Sequence, residues 1–447
     1  MRLPDPVGGD AVPAGGSPAA NQILAPPPSL TTRDGGLNPQ ALDEVTDYAA
    51  DHFALRQRFI TANAALEAAL FGTSAQDSVV LGREGWLFYR ETVDDYLHTD
   101  PLTERELFSA ARTLALLTEY AQSRGASLTF TAAPNKASLY PRYLPFVGKP
   151  LEGRDDIDRL IPLLEGQGVA CADLFTPFRA ADQTLYYPAD SHWTSRGAAL
   201  AHDTLMDALG REGIRWFTQP GHTVRDHRGD LYEMLYPTGG ALEEDVEFDR
   251  PFTFTAVRPI RSPEDLRIQT ESPGQAGSLL MFRDSFGNNL YPFMAQSFGK
   301  AVFSRSMPFQ MALLDETGAD TVVIELVERN LSCLARRAPI FPAPLRALTG
   351  EPAQGEAAAR ITVRDDGKLE GYTCLEGALT GPVDTDSPVY VQLGEALYEA
   401  SPAGGAEEGW PFTLYVPGGA PLDGVRVLYL RDGQVLAAGR VELGSPE

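Results

Sequence analysis

The feature that most constrains this chain is a run of alternating helical and extended segments between residues 103 and 326. Apolar spacing predicts helices over 103–124, 155–165, 194–209, 288–296 and 310–317, and apolar runs predict strands over 127–132, 169–174, 278–282, 301–304 and 321–326. Strands joined through helices run parallel, because the crossover helix carries the chain back to the same end of the sheet. Such a sheet is covered on both faces. The expected fold class is therefore α/β, with a mostly parallel sheet and helices on both sides.

The rhythm stops at both ends and once in the middle. Residues 1–40 hold eight prolines and six glycines with no apolar period, which reads as a flexible tail. Helical spacing appears over 43–71, and a hairpin is expected over 78–89. Residues 214–277 are polar and proline-containing and read as an insertion into a core unit spanning 41–350. Beyond residue 355 the period becomes that of short strands (389–393, 412–416, 425–430, 435–441), with Asp432-Gly433 as a hairpin turn. Residues 355–447 are expected to form a small all-β sandwich, and 351–359 an accessible linker.

Composition excludes several classes. With 43% hydrophobic residues the chain has ample core, and a net charge of −24 opposes binding to nucleic acid. Cys171, Cys333 and Cys374 form no CxxC pair. The uncharged stretch 11–32 is broken by five prolines and cannot be a membrane helix. The abrupt Pro/Gly/Ala-rich opening leads us to expect that a signal or membrane anchor precedes the residues given.

GxGxxG, P-loop, HExxH and GxSxG motifs are absent. Two segments can carry chemistry. In Tyr187-Pro188-Ala189-Asp190-Ser191-His192-Trp193-Thr194 an acid and an imidazole two residues apart lie on one loop. In Leu280-Met281-Phe282-Arg283-Asp284-Ser285-Phe286-Gly287 a buried strand enters a helix, so Ser285 sits at the carboxyl end of a parallel strand, where α/β sheets place ligands. Ser285 can act as nucleophile, His192 as base and Asp190 as the group that fixes the imidazole tautomer, with the N–H groups of Phe286 and Gly287 facing an oxyanion. On the residues alone, a loop hydrogen-bond motif and a helix cap explain the same segments. His222 and His227, with Asp226 and Asp230, match no metal-ligand spacing and read as plain loop, so that His227→Ala is expected to change activity by a few-fold at most. Tyr390, Tyr398, Trp410, Tyr415 and Tyr429 suit either a sandwich core or sugar stacking.

Five short segments together resemble the SGNH-hydrolase-like AlgX/AlgJ (DHHW) group. They are 82–89 (GREGWLFY), Pro134-Asn135-Lys136 with Tyr140-Pro141, Asp190-Ser191-His192-Trp193-Thr194, Gly229-Asp230-Leu231 and Arg283-Asp284-Ser285-Phe286-Gly287. They keep the group's order and cover about residues 75–330. Ser191 departs from the second position of the Asp-His-His-Trp motif, and its side chain is expected to point away from its neighbours. The resemblance implies an extracytoplasmic O-acetyltransferase that modifies a secreted polysaccharide through an acetyl-Ser285 intermediate, without metal or cofactor. It also implies a membrane-bound acyltransferase partner as acetyl source, anchorage to the membrane, and a C-terminal carbohydrate-binding module. It adds Tyr291, and Asn135 and Arg329 join Gly287 as residues lining the cleft or its oxyanion site, with a structural ion pair as the other reading of Arg329. An acetylesterase using the same triad, a non-catalytic polysaccharide-binding scaffold of an export complex, and a metal-dependent hydrolase centred on His222 remain as alternatives.

Overall fold

Leu279, Leu280, Met281 and Phe282 are all buried although successive strand residues face opposite ways, so the sheet that holds them is covered on both sides. The computed structural model describes residues 56–145, 155–348, 350–404 and 409–444, with positions 27, 29, 31, 38, 41 and 44. The expected 1–40 tail lies almost wholly outside these residues, and the first helix is described over Arg56–Phe71.

Seven strands form the central sheet: β1 (Ser127–Ala133), β2 (Ala170–Ala172), β3 (Thr255–Ala256), β4 (Arg267–Glu271), β5 (Ser278–Phe282), β6 (Lys300–Ser304) and β7 (Thr321–Val327), in the order β2-β1-β7-β5-β6-β4-β3. From β2 to β6 all pairs are parallel, and β4 and β3 add an antiparallel edge. Leu280 and Phe282 pack with Leu128, Phe130 and Ile324 beneath helix α1 (Glu104–Ser123). Leu279 and Met281 pack on the other face against α2 (Ser195–Ala208) and α3 (Gly287–Ser297). Each such side chain contributes roughly 1.5–3 kcal/mol on burial. A capping box starts α1: the Thr103 hydroxyl accepts the Glu106 N–H, and the Glu106 carboxylate accepts the Thr103 N–H.

The segment expected as an insertion is partly sheet. Strands 221–227 and 243–248 pair with each other around a short helix, Asp230–Leu235. The chain then returns through β3 and β4 to the central sheet. Only Ile268 and Thr270 of β4 are buried, and this short, polar strand next to the sheet edge has too little apolar alternation to be seen in the sequence.

The C-terminal residues form a sheet of β8 (Ala358–Arg364), β9 (Tyr372–Thr380), β10 (Val389–Leu393), β11 (Ala396–Pro402), β12 (Trp410–Pro417), β13 (Arg426–Arg431), β14 (Gln434–Ala437) and β15 (Arg440–Leu443), in the order β14-β13-β10-β11-β12-β9-β8-β15. The ladder is continuous, because β11 pairs with β10 along its length and with β12 through Ser401 and Pro402. It curls around one core in which Ile361, Leu375 and Leu414 meet Val391, Val427 and Tyr429. Asp432 and Gly433 join β13 to β14 with φ of 51° and 71°, the positive pair that a tight hairpin turn of this kind needs. The strand expected over 435–441 is broken after Ala437, so that β14 pairs with β13 and β15 with β8. Tyr398, Tyr415 and Tyr429 are core, whereas Tyr390 and Trp410 are half-buried. The expected linker is partly bonded into the sheet, with Ala353–Gln354 pairing to Leu436 and Ala437. Among the described residues no helix is long and apolar enough to cross a membrane, and all three cysteines are free.

Candidate active site

Two loops meet at the carboxyl end of the parallel sheet. The first runs from Tyr186 to Thr194 and is closed by a Tyr186–Trp193 bridge. Thr194 then caps α2, its hydroxyl accepting the Gly197 N–H. Gly197 is required here, since a Cβ would lie 2.5 Å from the Leu185 carbonyl oxygen. The second loop joins β5 to α3. The buried Trp193 donates its indole N–H to the Phe286 carbonyl at 3.1 Å, and the Asn289 amide donates to the Trp193 carbonyl at 3.0 Å. These two bonds fix one loop against the other.

The contact that results is between Ser285, His192 and Asp190. His192 Nδ1 lies 2.8 Å from Asp190 Oδ1, and His192 Nε2 lies 2.9 Å from Ser285 Oγ. An ionised carboxylate only accepts, so Nδ1 carries the ring proton and Nε2 is left to accept the serine hydroxyl. Burial would raise the Asp190 pKa, but His192 and His227 outweigh it and hold the carboxyl well below its usual range. Burial likewise opposes the charge on His192, and the Asp190 carboxylate overcomes this and raises the imidazole pKa.

Several positions depart from the sequence reading. Lys136 is 1% exposed and lines no cleft; its ammonium donates to the carbonyls of Tyr187, Pro188 and Asp190 and holds the first loop from beneath. Burial pushes its pKa down to about 8. Asn135 is fully buried, donating its backbone N–H to Glu328 and its amide to Asp95, and so is a bracing residue rather than a cleft residue. Tyr291 is also fully buried, packed with Phe254 and Phe303, and lines a cavity of about 280 Å³ beside His227. Arg329 places its guanidinium 5.4 Å from the Tyr89 ring and 5.6 Å from the Phe286 ring, close enough to oppose charging of His192. Ser191 does not point away, since its hydroxyl bonds Asp230 and lies 3.2 Å from His192 Nδ1.

Beside Ser285, the N–H of Phe286, expected to face an oxyanion, is occupied by the Asp284 carboxylate, whose other oxygen accepts from the Val327 N–H and the Asn330 amide. Asp284 thereby ties the Ser285 turn to the end of β7. Gly287 opens α3 against Arg283, where a Cβ would lie 2.6 Å from the arginine Cβ. Among the described residues the Ser285 N–H has no acceptor, which leaves it and the start of α3 to meet an anion.

The sequence reading missed the second set of contacts on Asp190. Asp190 Oδ2 accepts from His227 Nε2 at 2.8 Å and from the Asp230 N–H at 3.0 Å. Both residues belong to the segment read as plain loop, and Gly229-Asp230-Leu231 was the one sequence signal there. Oxygen and nitrogen atoms of Asp190, His192 and Asp230 lie within 4.8 Å of one another, a spacing that suits a cation. A cation could use these atoms only by displacing the hydrogen bonds that join Asp190 to His192 and Ser191 to Asp230. His222 is 62% exposed and pairs with Glu247 and Asp249 away from this group.

Residues 79–263 match the family model described as the SGNH hydrolase-like domain of the acetyltransferase AlgX. Over this segment the chain is similar to the AlgX/AlgJ family. A curated relative, the probable alginate O-acetylase AlgJ of Pseudomonas putida, is 28% identical over 201 residues, covering 42% of this chain and 50% of the relative. The chain thus spans about half the length of that AlgJ. Similar solved structures are the O-acetyltransferase domain of Pseudomonas putida AlgJ, at 21% identity and TM-score 0.39 over 57% of this chain and 92% of that one, and Bacillus cereus PatB1, at 15% and 0.44 over 57% and 97%. Pseudomonas aeruginosa AlgX is 14% identical with a TM-score of 0.37, over 85% of this chain and 98% of that one.

Proposed function

We propose that this protein is a serine O-acetyltransferase that carries an acetyl group on Ser285 and passes it to a hydroxyl of a secreted polysaccharide. The observation that carries the reading is the continuous set of contacts from Asp190 through His192 to Ser285 Oγ, at 2.8 and 2.9 Å. The names of the AlgX family model and of the AlgJ relative support acetyl transfer as the reaction class. In this mechanism His192 Nε2 takes the Ser285 proton as Oγ attacks the donor's acetyl carbonyl. The oxyanion forms against the Ser285 N–H and the start of α3. His192 returns the proton to the departing group as the carbonyl reforms, leaving acetyl-Ser285. A sugar hydroxyl then gives its proton to His192, attacks the ester carbonyl and leaves acetylated while Ser285 regains its proton. On this reading the protein acts outside the cytoplasm and receives acetyl groups from a membrane-bound acyltransferase.

The test is acetyl release from 4-nitrophenyl acetate with and without a sugar oligomer, followed by mass spectrometry of enzyme and oligomer. Ser285→Ala and His192→Ala should each lower kcat by about 10³-fold or more, with the double variant little worse than either. Asp190→Asn should cost up to about 10⁴-fold by favouring the wrong tautomer. The wild type should carry one acetyl on the peptide holding Ser285 and yield acetylated oligomer. Acetate without acetylated oligomer would make the protein an esterase, and full activity in Ser285→Ala would remove the nucleophile assignment.

A further inference from the structure

We infer that His227 is a positioning residue for this reaction, sharing the Asp190 carboxylate with His192; the inference rests on the roles proposed above for Ser285, His192 and Asp190. Asp190 is 5% exposed in its side chain and lies between two imidazoles, each 2.8 Å from a different carboxylate oxygen. The two oxygens are held separately. Oδ1 takes the His192 ring and the His192 N–H, while Oδ2 takes the His227 ring and the Asp230 N–H. Rotation of the carboxylate is thereby blocked, and Oδ1 stays in line with His192 Nδ1. The His227 ring is itself fixed, stacked on Tyr187 with centroids 3.8 Å apart and an interplanar angle of 11°. It is built in from a distant part of the chain, on the strand 221–227, so its place depends on the segment that interrupts the α/β rhythm.

His227 also sets how much of the Asp190 charge reaches His192. The groups facing His227 are Asp190 and Tyr187 from the loop, Glu243 and Asp245 from the paired strand, and Asp226 beside it. The ammonium of Lys136 lies beneath the same loop. Donating Nε2–H to Oδ2 draws charge away from Oδ1. Without that donor, and with the carboxylate still held by the Asp230 N–H, Asp190 would attract a proton on His192 more strongly. The serine's base would then be charged at higher pH.

The experiment compares His227→Phe, which keeps the stack on Tyr187 and loses the donor, with His227→Gln, whose amide nitrogen reaches the place of Nε2. His227→Asn is included as an amide too short to reach Oδ2. Each is assayed in the full chain for kcat, KM and the pH profile of kcat/KM with 4-nitrophenyl acetate, beside Ser285→Ala. We expect His227→Phe and His227→Asn to lose about tenfold or more in kcat with KM within about twofold, and their acid limb to move to higher pH by about half a unit or more. His227→Gln should stay within about threefold with its limb in place. A purely structural residue would leave the limb unmoved and would not distinguish Gln from Asn. That outcome, or a wild-type profile in His227→Phe or, where that variant does not fold, in His227→Asn, overturns the inference while Ser285→Ala remains inactive. Activity in Ser285→Ala would instead remove the reading on which the inference stands.

Discussion

His202 repeats, in the core, the hydrogen-bond order that His192 makes at the sheet edge. Its Nδ1 lies 2.9 Å from Asp203 and its Nε2 lies 2.8 Å from the Ser297 hydroxyl. What separates the two is access. The side chain of His202 is fully buried, whereas that of His192 is 22% exposed. A motif search cannot make that distinction, and Asp190 and His192 were legible only because their loop also lies ahead of a strand-to-helix serine in the right order. The carboxylate's second imidazole was not legible, since Asp190 and His227 are 37 residues apart and no spacing rule connects them. Nor was the burial of Lys136, since the loop carbonyls that take its ammonium lie 51 to 54 residues along the chain. Burial lowers the pKa of His202 below its ordinary value despite Asp203. The unfolded chain therefore takes up a proton near pH 6.5 that the folded one resists, and stability from this site is lost as pH falls through about 6.5. Urea unfolding at pH 7.5 and 5.5 should show the wild type losing more stability on acidification than His202→Gln, which has nothing to titrate there. Equal losses in the two proteins would show that His202 does not carry this term.

At the scale of elements, α1 and the parallel strands were readable because each obeys a strong local rule: a capping box before an apolar stripe, or a short run buried on both faces. Among the elements that escaped, β4 buries only Ile268 and Thr270, β8 and β9 mix buried with half-buried positions without regular alternation, and β11 is buried on both faces despite Glu399 and Ser401, so that tertiary partners decide the conformation. The joint between α1 and the curled sheet escaped for the same reason. There Glu399 on β11, 1% exposed in its side chain, accepts both arms of Arg112 from α1 at 2.6 and 2.7 Å, and the Arg346 guanidinium at 2.6 Å. Arg105, also on α1, donates to the Thr385 and Ser387 carbonyls, and Arg336 pairs with Glu106. We therefore propose that the C-terminal sheet is a fixed part of the molecule and not a freely hinged appendage. Glu399→Gln removes the buried anion that Arg112 and Arg346 share and leaves them the half-exposed Glu119, which should cost about 3 kcal/mol, the lower end for breaking a buried pair. Hydrogen exchange should then rise in β11 and in α1 together. Faster exchange in β11 alone would mean that the joint does not couple the two parts.

For the molecule as a whole, charge is the property that reaches furthest, and it bears on what the site can accept. The chain carries a net −24. A basic cleft made of Lys136, Arg283 and Arg329 could have reversed that locally, but Lys136 is spent on loop carbonyls and Arg283, 3% exposed, on Asn288 and the Pro263 carbonyl. Of these three, Arg329 is the one that stays near Ser285, over the Phe286 ring. The cavity of about 480 Å³ beside Arg329 is walled by Glu91, Asp94, Asp95, Asp100 and Asp156 against Arg336 and His98, so acids outnumber bases there, and the smaller cavity beside His227 contains Asp226 and Asp245. Burial and the nearby Asp156 raise the Asp95 pKa to about 6, so that even this carboxyl is mostly ionised at neutral pH. A polyuronate is therefore repelled both at long range and at the walls, whereas a neutral glycan is not and an amine-bearing one is attracted. At about 0.15 M salt the long-range part is screened beyond roughly 8 Å and the wall contacts persist. KM for acetyl transfer should thus rise in the order amino-sugar oligomer, neutral glucan oligomer, oligouronate. Raising salt should weaken the first, leave the second unchanged and improve the third. An oligouronate with the lowest KM, weakening as salt is added, would show that Arg329 or residues outside the described set dominate the local field, and the proposed substrate class would be withdrawn.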